Sequence, residues 1–132
     1  MIRLVGLGRM GLGMARRWHR RGLKVVGFDE DPRARERAEA EGVWVRASLE
    51  ALAEDTGAPR LFWLMVPQEA VEGVLQALMP LLRPGDRVAD GGNSFYKDSL
   101  RRSQTLAQRG IGFVDVGVSG GVRGEVEGYG LM

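Results

Sequence analysis

The stretch Ile2-Arg3-Leu4-Val5-Gly6-Leu7-Gly8-Arg9-Met10-Gly11 determines how the rest of the chain is interpreted. Its first four residues are typical of a short buried strand, and a helical pattern follows the last glycine. A strand, a tight glycine turn and a helix N-terminus together suit the pyrophosphate of a dinucleotide. In that geometry Gly6 makes the turn, Gly8 lets the backbone approach phosphate, and Gly11 lets helix and strand pack closely. A βα turn that binds nothing is the alternative interpretation.

An acidic residue, Asp29, follows the second apolar run, at residues 23–28. It lies 18 positions after Gly11, since 29 − 11 = 18, and a carboxylate about 20 residues after the turn binds the adenosine ribose in dinucleotide sites. Such a carboxylate accepts hydrogen bonds from the ribose hydroxyls of NAD and repels the 2′-phosphate of NADP. The pattern therefore predicts NAD as the cofactor, with NADP as the less favoured alternative.

The charged neighbours of Asp29 have opposite expected effects on the choice between NAD and NADP. Glu30 and Asp31 add to the repulsion of a phosphate, whereas Arg33 and Arg35 offer it positive charge. The acid also has a structural interpretation, as the N-cap of a helix that begins at Pro32, and this role is compatible with cofactor binding. The preference for NAD is thus a prediction with a defined alternative.

Apolar runs alternate with helical patterns along the chain. Strands are predicted at residues 1–5, 23–28, 43–45, 60–66, 87–90 and 111–116, and helices at 10–21, 32–41, 49–54, 69–79 and 96–109. This alternation implies right-handed crossovers and a parallel sheet. We predict an α/β fold, a Rossmann-type doubly wound sheet of order 3-2-1-4-5-6 with ligand where the order reverses. Residues 1–117 form this domain, and residues 118–132 form a substrate loop and the start of a connection.

Composition limits the classes of function. The chain has 132 residues, 44% of them hydrophobic and 27% charged, which suits one globular domain. The absence of cysteine excludes disulfides, thiolate metal sites and a cysteine nucleophile, and we predict no metal site. The net charge is only +2 and acids alternate with bases, so we predict no nucleic-acid partner. No apolar run approaches the ~20 residues of a membrane span, and no signal peptide is recognisable. We therefore predict a cytoplasmic protein without a membrane partner.

Three further segments follow predicted strands at the same sheet edge as the glycine turn. They are Met65-Val66-Pro67, Asp90-Gly91-Gly92-Asn93-Ser94 and Gly117-Val118-Ser119-Gly120-Gly121. Each is compatible with an ordinary turn. Together, their backbone amides and small side chains suit an anionic ligand rich in hydroxyl groups.

With these segments the sequence resembles the N-terminal coenzyme domain of decarboxylating 6-phosphogluconate dehydrogenase, of the β-hydroxyacid dehydrogenase superfamily. The resemblance covers essentially the whole chain. Its most specific feature is the segment at 90–94 followed by the segment at 117–121; further matches are Gly85-Asp86, Phe95-Tyr96-Lys97-Asp98, Val122-Arg123-Gly124 and Gly128-Tyr129-Gly130-Leu131-Met132. Gln68-Glu69 departs from the Ala-Gly usual in the family.

The resemblance implies a role for each matching position. The dinucleotide would be held by Gly6, Leu7, Gly8, Arg9, Met10, Gly11, Asp29, Met65, Val66, Pro67 and Asn93. The sugar acid would be held by Asn93, Ser119, Gly120 and Gly121. Enzymes of this family oxidise the C3 hydroxyl of 6-phosphogluconate, pass hydride to the nicotinamide, and lose CO2 to give ribulose 5-phosphate.

The resemblance does not supply catalytic residues. The lysine and glutamate of the family belong to a helical domain that would lie beyond Met132, and Lys97 matches a helix start, not the base. We therefore expect the cofactor half of an oxidoreductase, inactive alone, with residues 118–132 poorly ordered or associated with a second copy. A stand-alone dinucleotide-binding sensor or regulatory module, and a domain acting on another 3-hydroxyacid, are the alternatives.

Overall fold

The structure, a computed structural model, describes residues 1–54, 59–92, 95–119 and 130–131. The strands are β1 (Ile2–Val5), β2 (Val25–Phe28), β3 (Trp44–Val45), β4 (Leu61–Leu64), β5 (Arg87–Asp90), β6 (Gly112–Asp115), β7 (Val118–Ser119) and β8 (Gly130–Leu131). The α-helices are α1 (Arg9–Arg20), α2 (Pro32–Ala40), α3 (Leu49–Leu52), α4 (Val71–Leu78) and α5 (Tyr96–Ala107). Short 3-10 turns at Gln68–Ala70 and Met79–Leu81 flank α4.

Six of these strands form one parallel sheet of order β3-β2-β1-β4-β5-β6, which confirms the predicted fold class and strand order. The order reverses between β1 and β4, whose last residues, Val5 and Leu64, are paired. Val5 is also paired with Phe28 at the end of β2. The carboxyl ends of these three strands therefore form one edge, where ligands of doubly wound sheets bind.

Apolar side chains cover both faces of the sheet, as expected of parallel strands buried on both sides. On one face Leu4 and Leu12 belong to a buried cluster that extends to α2. On the other face Phe62, Leu64 and Leu78 are fully buried. Burying a side chain of this size contributes about 1.5–3 kcal/mol, so the two apolar layers fix the sheet edge that carries the glycine turn.

The predicted helix at 69–79 is wrong at its ends. The chain there forms a 3-10 turn, then α4, then a second 3-10 turn that contains Pro80. Proline cannot donate a backbone hydrogen bond, and here it lies in the first turn of the new segment. Strand β4 is likewise shorter than the predicted residues 60–66, so Met65 and Val66 leave the sheet and become available to the crevice.

At the end of the described chain, β7 and β8 form an antiparallel pair that the sequence did not predict. Residues 120–129 and 132 lie outside the described residues, so the expectation of disorder or self-association for 118–132 stays a prediction, as does the domain division after residue 117. Among the helices that the structure describes, none is both long and apolar enough to cross a membrane.

Candidate dinucleotide site

The glycine turn joins β1 to α1 and requires glycine at two positions for steric reasons. Gly6 has a φ of +105°, and a Cβ built on it would lie 2.3 Å from the carbonyl oxygen of Met65. A Cβ on Gly11 would lie 2.1 Å from the carbonyl oxygen of Gly6. Real Cβ atoms do not approach backbone oxygen so closely, so a side chain at Gly6 would push the turn away from Met65, and one at Gly11 would push α1 away from the turn.

Gly8 differs, because a Cβ there would meet no atom of the described residues within 4 Å. Gly8 is the N-cap of α1 and has an ordinary φ of −69°, with no side-chain hydrogen bond capping the helix. The first turn of α1 contains no acidic residue, and Arg9 at its start is exposed. A helix N-terminus with uncapped amides and added positive charge favours an anion. The open space at Gly8 thus has the form of a phosphate approach.

Asp29 connects the glycine turn to the end of β2. Its Oδ2 accepts a hydrogen bond of 2.8 Å from the backbone N–H of Leu7, within the turn. Its Oδ1 accepts one of 2.9 Å from the backbone N–H of Asp31. Each carboxylate oxygen can accept a second hydrogen bond, so the half-buried carboxylate is fixed in place and still has capacity for a ligand hydroxyl.

The surroundings of Asp29 separate the two roles that its sequence position suggested. The N-cap of α2 is Asp31, whose carboxylate accepts a 3.0 Å hydrogen bond from the backbone N–H of Arg33, so the helix-cap interpretation of Asp29 is wrong. Arg35 donates a 2.7 Å hydrogen bond from Nη1 to the carbonyl oxygen of Asp29. Its Cζ lies over the Phe28 ring, 5.8 Å from the ring centroid. The guanidinium of Arg35 therefore holds the backbone at the end of β2. The Asp29 residue itself lines the cavity described next.

These elements surround a cavity of about 530 Å³ at the edge where the strand order reverses, a volume within the range of ligand sites. It is lined by Val5, Gly6, Gly8, Phe28, Asp29, Glu30, Leu49, Met65, Val66, Pro67, Ala70, Gly73, Val74 and Ala77. Among the described residues of this lining, the two charged ones are both acidic, and the others are apolar or glycine. The cavity therefore combines an apolar slot, a carboxylate and the N-terminal end of a helix.

The predicted cofactor residues fall into distinct groups in the structure. Six of them line the cavity, namely Gly6, Gly8, Asp29, Met65, Val66 and Pro67. The Leu7 side chain is buried in the core and only its backbone meets Asp29, Gly11 packs against the turn, and Met10 is half-buried. Asn93, Gly120 and Gly121 lie outside the described residues, and Ser119 is placed in β7. The proposed substrate contacts thus stay predictions.

Sequence reasoning missed the apolar wall of the cavity, which is formed by Phe28, Leu49, Ala70, Gly73, Val74 and Ala77. Such residues carry no chemical motif and resemble ordinary core positions. A usable signal was the spacing of the small residues in and just before α4, which repeats every three or four positions and marks one helix face.

The end of β5 supports the same crevice from the other side. Asp90 is fully buried, and its Oδ1 accepts a 2.8 Å hydrogen bond from the backbone N–H of Gly92. Its Oδ2 lies 3.7 Å from Nη1 of Arg102, which is also buried. A Cβ on Gly92 would lie 2.6 Å from the carbonyl oxygen of Val66. The turn after β5 therefore packs directly against the cavity wall.

Within the described ranges no group of three or more His, Asp or Glu side chains is arranged to hold a metal ion. His19 is exposed near the end of α1 and does not line the cavity.

Comparison with known proteins agrees with this geometry. All 132 residues match the family described as the NAD binding domain of 6-phosphogluconate dehydrogenase. The NAD(+)-dependent, decarboxylating 6-phosphogluconate dehydrogenase of Bacillus subtilis (strain 168) is 35% identical over 136 residues, covering 99% of this chain and 29% of its own length.

Two solved structures show the same fold. The 6-phosphogluconate dehydrogenase of Plasmodium falciparum, studied with NADP+ and with 6-phosphogluconate, has a TM-score of 0.88 and 27% identity over 99% of this chain and 30% of its own. The 3-hydroxyisobutyrate dehydrogenase of Mycobacterium tuberculosis has a TM-score of 0.81 and 30% identity over 93% of this chain and 42% of its own.

The chain therefore spans less than half the length of each of these dehydrogenases. The matched residues, 1–132, include the glycine turn and the whole six-stranded sheet. By this match the chain belongs to the family of NAD-binding domains of 6-phosphogluconate dehydrogenase, whose members are oxidoreductases.

Proposed function

We propose that this chain binds NAD in the cavity at the ends of β1, β2 and β4. The observation that carries the proposal is the hydrogen bond between the Asp29 carboxylate and the Leu7 N–H. It joins the ribose-binding acid to the phosphate-binding turn, so one rigid unit would receive the adenosine ribose and the adjacent pyrophosphate. The open space at Gly8 and the uncapped N-terminus of α1 support the phosphate position.

The charges of the cavity favour NAD over NADP. Asp29 and Glu30 are the charged groups of the lining in the part of the chain that the structure describes, and both are acidic. A 2′-phosphate beside two carboxylates would meet like charges in a partly desolvated site. The relatives use both cofactors, since the Bacillus enzyme is named as NAD(+)-dependent and the Plasmodium structure holds NADP+. The choice therefore depends on residues of this chain, chiefly Asp29.

We further propose that the chain serves oxidative decarboxylation of a sugar-acid phosphate, 6-phosphogluconate, in the pentose phosphate pathway. NAD supplies the hydride acceptor in such a reaction. The segment at 90–94 favours this substrate, because its sequence Asp-Gly-Gly-Asn-Ser is the most specific part of the resemblance to decarboxylating 6-phosphogluconate dehydrogenase. The likeness to a 3-hydroxyisobutyrate dehydrogenase supports a second candidate, a domain that serves another 3-hydroxyacid.

Proton abstraction needs a base within hydrogen-bond reach of the substrate hydroxyl. The titratable groups of the described cavity are Asp29 and Glu30, both at the ribose end. We therefore predict that the 132-residue chain binds NAD but produces no NADH with 6-phosphogluconate or 3-hydroxyisobutyrate. Absorbance at the NADH wavelength measures this directly. Turnover with either acid would contradict the predicted inactivity and would identify the substrate class.

A further inference from the structure

Helix α4 presents two neighbouring faces with different composition. Val71, Leu75 and Leu78 point into the core and are at most 4% exposed. The adjacent face carries Gly73, Val74 and Ala77, which line the cavity. Together with Ala70 in the preceding turn, these small residues follow the spacing of three and four that places side chains on one helix surface. The helix therefore packs on the core with one face and forms the cavity wall with the other.

Gly73 has no structural reason among the described residues to be glycine. It lies within α4, where glycine is the least favourable residue after proline. Its φ is not positive, and a Cβ built on it would meet no atom within 4 Å. Alanine at this position would therefore fit the backbone and the packing while strengthening the helix. The absence of a side chain instead enlarges the cavity, which Gly73 lines.

We propose that Gly73 is a specificity-determining position that keeps open the slot for the adenine end of the dinucleotide. The proposal rests on NAD binding at this cavity and deepens it. Asp29, where the adenosine ribose is expected, borders the same cavity as Phe28, Leu49 and Val74. These apolar side chains together with the bare backbone at Gly73 suit the faces of a flat purine ring. A side chain at position 73 would occupy part of the cavity that these residues line.

The test compares Gly73→Ala and Gly73→Leu with the unchanged 132-residue chain. Thermal unfolding reports on the helix, and calorimetric titration reports on binding of NAD, ADP-ribose and nicotinamide mononucleotide. Ser103→Ala on α5 is the matched control, because it raises helix propensity on a helix that does not line the cavity. Both ligand halves are used separately so that the affected end of the dinucleotide is identified.

We expect Gly73→Ala to raise Tm by roughly 2–5 °C and to weaken the binding of NAD and of ADP-ribose. Gly73→Leu should lower the affinity for both ligands at least about tenfold, because its larger side chain overfills the slot. Nicotinamide mononucleotide should bind all variants equally, and Ser103→Ala should gain stability without losing affinity. Stability and affinity would then change in opposite directions at position 73 alone.

Three results would overturn the proposal. Undiminished NAD affinity in Gly73→Leu would show that the space is not used. A lower Tm in Gly73→Ala would show that the glycine serves the fold. Weaker binding of nicotinamide mononucleotide, with unchanged binding of ADP-ribose, would show that the nicotinamide end and not the adenine end lies at α4. Failure of the unchanged chain to bind NAD at all is a different outcome, which removes the proposed function and this inference with it.

Discussion

Gly6 and Gly8 are two residues apart, yet their substitution by alanine should have opposite consequences. At Gly6 an added Cβ meets the Met65 carbonyl oxygen at 2.3 Å and the φ is +105°. We expect Gly6→Ala to lose more than about 2 kcal/mol of unfolding free energy, since the backbone strain and the clash add. Urea unfolding followed by circular dichroism measures the loss.

At Gly8 the added Cβ meets nothing within 4 Å of described protein. We expect Gly8→Ala to lose no more than about 1 kcal/mol, the scale of an N-cap change, but to abolish measurable NAD binding because the methyl group blocks the phosphate approach. Calorimetry on the folded variant is the measurement. Intact NAD binding by Gly8→Ala would remove the phosphate role of the turn.

Asp29 should control the choice between the two cofactors. In Asp29→Asn the negative charge is lost, and the amide cannot accept at both of the oxygen positions that now meet Leu7 and Asp31. A hydrogen bond to a charged group contributes about 1.5–3 kcal/mol, so the ratio of NAD to NADP affinity should fall at least about tenfold. Asp31→Asn, which retains a good N-cap, is the control. An unchanged ratio in Asp29→Asn would show that another residue selects the cofactor.

At the scale of elements, a buried ion pair joins the residues that precede β4 and β5, at the sheet edge opposite the cavity. Arg60 and Asp86 are each about 2% exposed, and Nη2 of Arg60 lies 2.6 Å from Oδ2 of Asp86. The same guanidinium donates to the carbonyl oxygens of Ala53 and Leu81. Arg60 therefore links α3, β4 and the turn before β5. Removing one partner of such a pair leaves a buried charge and costs about 3–5 kcal/mol.

We predict that Asp86→Asn loses stability near that range at pH 7 and much less at low pH. Burial tends to raise the pKa of Asp86, but hydrogen bonds from Arg60 and from the Arg83 N–H outweigh it and hold the pKa below its ordinary value of 3.8. A lowered folded-state pKa means that the stabilisation is complete above about pH 4 and disappears as the pH falls through the folded-state pKa. Urea unfolding midpoints of the unchanged chain and of Asp86→Asn, measured from pH 7 to pH 2, should approach each other as the pH falls.

Asp98→Asn is the control for this pH series, because Asp98 is 46% exposed and lies 3.8 Å from Arg101. An exposed pair of this kind contributes less than about 1 kcal/mol, so little change is expected at any pH. A constant difference between wild type and Asp86→Asn down to pH 2 would contradict the assignment of the low pKa to Asp86.

The elements themselves were largely predictable, and the reason is local. Most strands of the sheet lie in short, largely apolar runs with a glycine or an acid at or next to one end, and β5 was predicted at its observed bounds, Arg87–Asp90. The Arg60–Asp86 pair was not predictable, because 26 positions separate its partners and both residue types usually mark a surface. Charged residues in the core are visible only once the strands are assembled.

At the scale of the whole molecule, the glycine turn and Asp29 were predicted to form one site, and the structure joins them through the Leu7 N–H. The apolar wall that α3 and α4 contribute was not predicted, because Leu49 and Val74 come from helices whose relative placement depends on packing. Sequence motifs mark the polar contacts of a site, whereas its shape arises from tertiary structure. The substrate end of the crevice stays a prediction that rests on Asn93, Ser119, Gly120 and Gly121.

Calorimetric titration of the 132-residue chain with NAD and with NADP determines whether the cavity beside Asp29 is an NAD site. We predict saturable binding of NAD with one site per chain and clearly weaker binding of NADP, because two carboxylates line the cavity and would repel a 2′-phosphate. Equal or tighter binding of NADP would contradict the role of Asp29, and absence of binding by both dinucleotides would contradict the site itself.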